Sequence, residues 1–398
     1  MAPPAARAWD LVDADDALAF LAGDGLERFA GSLPFPCRVA RLPRHPGLDP
    51  RELERRLPAG ALLLAGEMVV VLAGPARDLR RAARDWPAGA GDALAKVLER
   101  YERAPAPVRF ADGRLWDVSR KTHLLGVLNV TPDSFSDGGL FLEPGSAERR
   151  AGEMLEQGAD GIDVGGESTR PGARPADPEE ESRRVCAVIG RIKRRWPGSR
   201  VSIDTRRAVV ARRALDAGAD LVNDVSGLND PDMTPLVAGS ACPVVIMHMR
   251  GSPIDMQSDT GYEDLVGEIM TALREKLDAA VSHGIAGDRI LVDPGFGFGK
   301  SASGNEEILR QLGSFRSLGQ PVLVGLSRKS FIGRRTGVTL ADRRRGGSVA
   351  AATVAVLAGA SVVRAHDVAD TLQALAMADA LRRRDRADEG EPGDRWKS

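Results

Sequence analysis

The sequence is short of cysteine, of net charge and of long apolar runs, and each shortage excludes a class of protein. Its three cysteines, Cys37, Cys186 and Cys242, lack the paired spacing of a disulfide framework or a zinc site. We interpret them as buried thiols. A formal net charge of -1 leaves no overall electrostatic attraction to nucleic acid or to an anionic membrane, so neither is expected as a partner.

Long apolar segments are also missing. The start of the chain, MAPPAARAWDLVDADD, has no basic segment leading into an apolar one, and no apolar run approaches membrane-spanning length. We therefore expect a cytoplasmic protein. Hydrophobic residues form 43% of the 398 residues, which suffices for a packed core, and this length has room for one large and one small domain.

The stretch DPGFGFGKS, residues 293–301, resembles a phosphate-binding loop because it closes on Gly-Lys-Ser. A Walker-type loop needs a glycine five residues before its Gly-Lys pair, and Pro294 stands there. The spacing therefore excludes a nucleotide loop, and we expect Lys300 to be a solvated lysine at the start of a helix. Asp293, which ends the apolar run RILVD, is the more informative residue.

From residue 124 to 384, short apolar segments alternate with amphipathic helical stretches. Near-continuous apolar strands covered by helices indicate a parallel sheet, and eight such units over this length predict a (β/α)₈ TIM barrel. The predicted strands are LLGVLNV, GIDVGG, VSIDT, LVNDVS, PVVIMHM, ILVDPG, PVLVGL and VVRAHDV.

Three further segments complete the predicted organisation. Residues 1–103 contain an amphipathic stretch, ADDALAFLAGDGLERFAG, the apolar pair ALLLAG and MVVVLAG and two helical patterns, which predict a small N-terminal α/β domain of unknown role. Residues 104–123 hold a proline-rich linker and then VRFADGRLWDV, whose Asp-Gly pair predicts a β-hairpin that closes the bottom of the barrel. Residues 385–398 are expected to be a disordered tail.

Polar residues stand at the carboxyl end of essentially every predicted barrel strand. One such residue alone is usually a helix N-cap or a turn former, but a barrel built only for stability would not need them on every strand. We therefore expect an active site at this mouth. Its polar residues are Asn129, Glu167, Ser168, Thr169, Arg170, Asp204, Asn223, Asp224, His248, Asp293, Ser327, Arg328, Lys329, Arg364 and His366.

The charges of these residues suggest the kind of ligand. A carboxylate can accept two parallel hydrogen bonds from a guanidine-like edge, and arginine and lysine bind a polyanion. A heterocycle that carries a phosphate would suit the site. Its neutral and anionic half would comprise Asp204, Asn223 and Asp293, and its cationic half Arg170, Lys329 and Arg364.

Eight motifs, in order and spacing, resemble those of bacterial dihydropteroate synthases, and the resemblance covers residues 108 to about 382. It implies a transferase that condenses hydroxymethyl-dihydropterin pyrophosphate with para-aminobenzoate, giving dihydropteroate and pyrophosphate in folate synthesis. It also implies Mg²⁺, a homodimer and inhibition by sulfonamides. The motifs are LLGVLNVTPDSFSDGG, GADGIDVGGESTRPGA, VSIDT, LVNDVSG, HMRGSPIDMQ, ILVDPGFGFGKS, VLVGLSRKSFIG and RAHDV.

The resemblance also implies a role for each matching residue. Asn129 contacts the Mg²⁺ that accompanies the pyrophosphate. Lys329 bonds the carbonyl region of the pterin, and Arg364 and His366 bind the departing pyrophosphate. The pterin ring is held by Asp204, Asn223 and Asp293, with Met247, Phe298 and Gly325 packed near it. Two loops close the site and shape the aminobenzoate pocket beside Ser330, and they carry Phe135, Asp137, Thr169, Arg170 and Pro171.

Two other functions share part of this pattern. A pterin-binding methyltransferase domain would have the barrel and its pterin edge, but would not need NVTPDSFSDGG, SRKS and the Arg-x-His pair together. A non-catalytic paralogue would be expected to lose a loop residue or a cation, and none is missing. Every residue with an implied role lies after 128, so the N-terminal domain is expected to be dispensable for chemistry and to serve as an interaction or stabilising module, or to be a remnant enzyme.

Overall fold

The computed structural model describes residues 6–11, 21, 26, 29, 37–44, 49–66, 69–131, 144–168, 173 and 175–382. The chain forms two compact units, each assembled from three segments. The first unit comprises Met1–Pro105, Gly261–Asp278 and Ser303–Gln320. The second comprises Ala106–Thr260, Ala279–Ala302 and Pro321–Ser398. Two segments from the second half of the chain thus belong with the N-terminal region, which the sequence pattern did not suggest.

The described part of the first unit contains an antiparallel sheet and three N-terminal helices, which confirms the small α/β domain. Its strands are β1 (Arg7–Leu11), β2 (Cys37–Pro43), β3 (Leu62–Ala65) and β4 (Val69–Gly74), in the order β1-β2-β4-β3. Its N-terminal helices are α1 (Pro50–Arg55), α2 (Ala76–Asp85) and α3 (Ala88–Glu102). The predicted amphipathic stretch ADDALAFLAGDGLERFAG lies largely outside the described residues.

Alternate residues of each strand face opposite sides of the sheet, and on both sides they pack into a buried apolar cluster. Ala40 and Leu72 pack with Leu94 and other residues of the helices, whereas Val39 and Val71 belong to a separate apolar cluster. The sheet therefore contributes residues to two apolar clusters, one on each of its faces.

The first unit also ties its first two strands to the later segments. The Ala8 backbone N–H donates to Ser317 Oγ at 2.9 Å. Arg7 in β1 and Arg41 in β2, both buried, pair with Asp264. Burial would raise the pKa of the Asp264 carboxyl, but the two guanidinium groups outweigh burial and hold its pKa below the ordinary value. A charged network is therefore enclosed within this unit.

The described part of the second unit contains eight parallel strands in the order β12-β11-β10-β9-β8-β7-β14-β13. Val292 N–H donates to Pro321 O at 3.0 Å, which links the two ends of this order. The predicted TIM barrel is confirmed. The strands are β7 (His123–Asn129), β8 (Gly161–Gly165), β9 (Arg200–Asp204), β10 (Leu221–Asp224), β11 (Val244–Met247), β12 (Ile290–Asp293), β13 (Leu323–Val324) and β14 (Val362–Ala365).

Each barrel strand is followed in the chain by at least one helix. The helices are α4 (Pro144–Glu156), α5 (Pro178–Arg195), α6 (Ala208–Asp216), α7 (Met233–Ser240), α8 (Leu265–Ser282), α9 (Ala302–Arg310), α10 (Ser330–Thr336), α11 (Arg345–Ala358) and α12 (Val368–Arg382). Short 3₁₀ helices cover Gly287–Arg289, Leu312–Leu318 and Ala341–Arg343.

Local sequence explains where helix α5 begins, because Asp177 accepts hydrogen bonds from the backbone N–H groups of Glu179 and Glu180, and Pro178 occupies the first turn. Three acidic residues in the first turn and three basic residues in the last complement the helix dipole.

A short hairpin, β5 (Val108–Arg109) with β6 (Leu115–Trp116), covers the amino-terminal end of the barrel. Its turn has Gly113 at φ +81°, which favours glycine, and Asp112 accepts a hydrogen bond from Arg114 N–H. The hairpin side chains share one apolar cluster with the barrel interior. The members of this cluster are Val108, Phe110, Trp116, Val118, Leu125, Leu221, Val245, Leu291, Leu323 and Val362.

The described residues contain no helix long and apolar enough to cross a membrane. All three cysteines are free thiols. Cys37 and Cys242 are buried as expected, whereas Cys186 on α5 is only partly buried.

Candidate active site

Four polar side chains form one layer across the barrel interior. Leu221, Leu291 and Val362 lie in the apolar cluster that fills the barrel, and residues two positions further along a strand face the same side. The next layer toward the carboxyl ends of the strands is polar, and its residues come from the alternate strands β8, β10, β12 and β14. Its members are Asp163, Asn223, Asp293 and Arg364.

Arg364 lies between two carboxylates. Its Nη2 donates to Asp163 Oδ2 and also to Asp204 Oδ2, the latter at 2.7 Å. Burial would lower the pKa of Arg364, but the charges of Asp163 and Asp204 raise it above the ordinary value, so the guanidinium stays charged. Burial raises the pKa of Asp204 to about 7; Arg364 opposes this shift and the charge of Asp163 adds to it.

Asn223 and Asp293 occupy the next two positions of the layer, and both are buried. Asn223 Nδ2 donates to Asp163 Oδ2 at 3.3 Å. Asp293 Oδ1 accepts from the Gly295 backbone N–H at 2.7 Å, and burial raises the pKa of Asp293 above its ordinary value. A buried carboxylate of this kind is suited to a ligand that donates hydrogen bonds to it.

The loop after β12 passes close to the neighbouring backbone. Gly295, Gly297 and Gly299 all have positive φ, at 73°, 80° and 68°. A Cβ on Gly295 would overlap the His248 carbonyl oxygen, so glycine is required there both by conformation and by space.

Lys300 corrects the expectation of a solvated lysine. It is only 3% exposed, and its Nζ donates to the carbonyl oxygens of His248 and Gly295, both at 2.9 Å. The same Nζ lies 2.9 Å from His248 Nδ1. Burial holds the pKa of Lys300 well below its ordinary value, with Asp293 opposing this shift. Lys300 thus binds the glycine loop to the residue that follows β11.

An apolar wall stands beside the polar layer. Met247 and Phe298 pack with Val225 and Met256 in one buried cluster. Lys329 Nζ lies 4.3 Å from the centroid of the Phe298 ring, within range of a cation–π contact. An apolar surface next to a layer of carboxylate and amide groups is suited to a flat heterocycle with polar edges.

Polar groups lie beside the backbone at two glycines, with room for an ordinary contact. A Cβ on Gly325 would lie 3.6 Å from Arg364 Nη1. A Cβ on Gly165 would lie 3.4 Å from Asn129 Oδ1 and 3.8 Å from Asp204 Oδ2. Asn129 and Asp204 therefore both face the backbone of Gly165.

His366 is held by the turn between β13 and α10. Its Nδ1 lies 3.0 Å from Ser327 Oγ, and its backbone N–H donates to the same oxygen at 3.2 Å. Burial lowers the pKa of His366 to about 3, and the nearby Arg328 charge adds to this shift. His366 is therefore neutral at physiological pH. Arg328 in turn donates to Asp367 at 2.8 and 3.1 Å.

Not every predicted residue joins the layer and its wall. Ser330 begins α10 and is exposed. The loop residues Phe135, Asp137, Thr169, Arg170 and Pro171 lie outside the described residues.

Glu167 stands just before Thr169 and Arg170 in the chain. It accepts hydrogen bonds from Arg206, Arg207 and the Ala176 backbone N–H. Arg207 also pairs with the buried Glu181. The guanidinium groups outweigh burial and hold the pKa of Glu167 below its ordinary value.

Sequence reasoning missed Asp163, although a signal was present. A carboxylate within the apolar strand GIDVG must be buried, and a buried carboxylate needs a charged or hydrogen-bonding partner. It stands two positions after Gly161, as Asn223, Asp293 and Arg364 stand two positions after apolar residues of their strands. Aligning the strands by layer would have identified it.

A parallel barrel whose mouth holds such a polar layer beside an apolar wall is typical of enzymes that bind a flat heterocycle. A family model described as pterin binding enzyme matches residues 125–366, which cover all four residues of the layer. The chain is therefore a member of the pterin-binding enzymes.

Comparison with individual proteins shows which of the pterin-binding enzymes this chain is similar to. The dihydropteroate synthase of Synechocystis is 42% identical over 285 residues, which are 71% of this chain and 97% of the relative. A Yersinia pestis dihydropteroate synthase solved with a sulfonamide drug complex has a TM-score of 0.67 and 39% identity, over 69% of this chain and 99% of that one. A Xanthomonas albilineans dihydropteroate synthase with 4-aminobenzoic acid has a TM-score of 0.65 and 43% identity, over 70% and 99%. This chain belongs to the dihydropteroate synthase family.

Proposed function

We propose that this chain condenses hydroxymethyl-dihydropterin pyrophosphate with para-aminobenzoate to give dihydropteroate and pyrophosphate. The observation that carries the proposal is the polar layer, in which a buried carboxylate and a buried amide share one level of the barrel with a charged arginine. This arrangement suits a substrate with a hydrogen-bonding ring at one end and a polyanion at the other.

The pterin half of the site would use Asp293 and Asn223. The amino-pyrimidinone edge of a pterin presents adjacent N–H donors, which a carboxylate can accept as a parallel pair. Asp293 is buried, and burial raises the pKa of its carboxyl group. Its carboxylate would therefore be a strong acceptor for these donors, shielded from competing water. Lys329, beside Phe298, would bond the carbonyl region of the ring, and Met247 would pack against its face.

The phosphate half would use Arg364, whose charge its two carboxylate neighbours maintain. His366 would contribute as a neutral hydrogen-bonding group rather than as a cation, because its pKa is lowered to about 3. His366 would thus bind the departing pyrophosphate, as the resemblance implies, by hydrogen bonding and not by charge. Thr169 and Arg170 are proposed to complete the phosphate and aminobenzoate sites.

Mg²⁺ is proposed as the metal that accompanies the pyrophosphate. The described residues contain no group of three or more His, Cys, Asp or Glu side chains that could hold a metal. The amide oxygen of Asn129, facing Gly165 near Asp204, fits an ion that is held mainly by substrate phosphates and water. When bound, Mg²⁺ would neutralise charge on the leaving pyrophosphate.

The protein's own contribution follows from the weak nucleophilicity of an arylamine. The residues around the phosphate would favour departure of pyrophosphate, and the methylene would then gain cationic character. Asp204, close to the ring, would stabilise that charge when ionised. No covalent nucleophile is needed, and burial raises the pKa of the Cys242 thiol, which keeps it protonated and inert.

Two broader properties complete the proposal. A cytoplasmic location is proposed, supported by three free thiols. A homodimer is also proposed, supported by exposed apolar side chains on α11 and α12. These are Val354, Leu357, Met377 and Leu381.

The deciding experiment measures pyrophosphate release by the full chain with Mg²⁺ and both substrates. We expect release only when para-aminobenzoate is present, formation of dihydropteroate in equal amount, and inhibition by sulfonamides that competes with para-aminobenzoate. Pterin binding without product formation would indicate a non-catalytic paralogue, and methyl transfer from a methylated pterin would indicate a methyltransferase. Either result would refute the proposal.

A further inference from the structure

Asp163 is a buried carboxylate at the centre of the site, yet none of the roles considered above belongs to it. It lies in the middle of β8, has no exposed surface, and touches two residues of the substrate site. Its Oδ2 accepts from Arg364 Nη2 and from Asn223 Nδ2. It therefore joins the residue proposed for the phosphate end to a residue proposed for the ring end.

The contact with Asn223 fixes the orientation of the side-chain amide. An ionised carboxylate only accepts hydrogen bonds, so Asn223 must present its NH₂ group to Asp163. Its Oδ1 then points away from Asp163 and remains available as an acceptor. The reversed amide would set two acceptors against each other in a buried place, which is costly.

The contact with Arg364 fixes one end of the guanidinium. Nη2 is shared by Asp163 and Asp204, whereas Nη1 lies on the side of Gly325. Two acceptors on one nitrogen hold the plane of a guanidinium more firmly than one.

We infer that Asp163 is a positioning residue for dihydropteroate synthesis, which orients the Asn223 amide toward the pterin and holds the Arg364 guanidinium in place. The inference rests on the proposed function. Asp163 acts through its two partners, so its loss should weaken binding of the pterin substrate and leave the aminobenzoate pocket largely unaffected.

The test compares three full-length proteins: the natural chain, Asp163→Asn and Asp160→Asn. Asp160 is a matched control, because it precedes the same strand at its opposite end and accepts hydrogen bonds from Lys121 Nζ and the Leu124 backbone N–H. Both substitutions remove one paired carboxylate, which is fully buried at Asp163 and 11% exposed at Asp160. Only the first removes one that touches the site.

The readouts are steady-state kinetics with each substrate varied, calorimetric binding of hydroxymethylpterin without phosphate, and thermal unfolding. For Asp163→Asn we expect KM for the pterin pyrophosphate, and the dissociation constant of hydroxymethylpterin, to rise about 10-fold to 100-fold. KM for para-aminobenzoate should stay within about twofold. Asp160→Asn should lower the melting temperature while leaving all three constants within the same margin.

A second signature is the pH dependence of hydroxymethylpterin binding. The charge of Asp163 helps to raise the pKa of Asp204, while Arg364 lowers it and Glu181 adds a smaller increase. In Asp163→Asn that charge is absent, while Arg364 still pairs with Asp204. The pKa of Asp204, about 7 in the natural chain, should therefore fall, and the pH dependence of binding should move to lower pH. An unmoved ionisation would show that Asp163 does not carry its charge beside Asp204.

Unchanged pterin constants and an unchanged pH profile in Asp163→Asn would overturn the inference, and so would equal losses of pterin affinity in both variants. Failure of the proposed function would look different. The natural chain would then release no pyrophosphate, while the calorimetric comparison of the two variants would still decide whether Asp163 supports pterin binding.

Discussion

Replacing Lys300 by methionine tests how the glycine loop is held. Methionine matches the length and the apolar stem of lysine but cannot donate a hydrogen bond. The change leaves three acceptors without this donor: the carbonyl oxygens of His248 and Gly295, and His248 Nδ1, each 2.9 Å from Lys300 Nζ. The Gly295 carbonyl oxygen keeps its hydrogen bond from the Phe298 backbone N–H at 3.1 Å, so the loss falls mainly on the two His248 acceptors. At about 1–3 kcal/mol for each buried acceptor that loses its donor, this predicts a loss of at least about 2 kcal/mol.

One contribution acts in the opposite direction. Lys300 is fully enclosed and burial lowers its pKa well below the ordinary value, so burying its charged form is unfavourable. Removing the amine recovers part of that free energy. We therefore expect a net destabilisation of roughly 1–3 kcal/mol.

The assay is thermal and urea unfolding of the full chain, with hydrogen exchange of residues 293–301 to locate the effect. Lys96→Met is the matched control, because Lys96 lies exposed on α3 and the chemical change is identical. We expect the control to shift stability by less than about 0.5 kcal/mol. Equal stability of the two variants, or unchanged exchange in the loop, would show that Lys300 does not hold the loop.

The same comparison has a pH dependence whose sign is fixed. The folded state binds fewer protons at Lys300 than the unfolded state does at pH values between its lowered folded pKa and the ordinary value of 10.5. The contribution of Lys300 to the free energy of unfolding of the natural chain should therefore increase as pH rises through that window. Lys300→Met should lack this part of the slope, and identical pH profiles for both proteins would contradict the assigned shift.

Three further predictions concern the site and the first unit. Asp293→Asn should weaken pterin binding by at least about 2 kcal/mol, because a paired acceptor is replaced by a mismatched donor, and unchanged calorimetric affinity would remove Asp293 from the pterin edge. Arg364→Ala should weaken binding of the pyrophosphorylated pterin more than that of a pterin without phosphate; equal losses would argue against separate ring and phosphate halves. Arg41→Gln should destabilise the chain by roughly 1.5–3 kcal/mol in thermal unfolding, because Asp264 loses a charged donor, and an unchanged melting temperature would show that the pair contributes little.

The barrel and its mouth could be predicted from sequence because their signals are local. Each strand is a short apolar run, and each polar residue at its end is visible without knowledge of its neighbours. Asp163 was missed because its significance depends on Asn223 and Arg364, which lie on other strands. The prediction for Lys300 was wrong because Gly-Lys-Ser usually marks an exposed turn, whereas here the carbonyl group of His248, 52 positions away, binds the lysine together with that of Gly295.

The first two strands illustrate the same limit. Arg7 in β1 and Arg41 in β2 are charged residues that usually indicate solvent exposure, so neither segment has the pattern of a buried strand. Both arginines are buried because Asp264 provides a carboxylate for them. No window of neighbouring residues contains that information.

The pairing of Arg41 with Asp264 has a consequence for synthesis of the chain. The two residues are separated by 223 positions. At typical rates of about 5–20 residues per second, the ribosome needs roughly 10 to 45 seconds to travel from one codon to the other. During that interval the first strands emerge with arginines whose carboxylate does not yet exist. The N-terminal region is thus translated before the barrel, but its charged interior can be completed only after most of the barrel strands have been made.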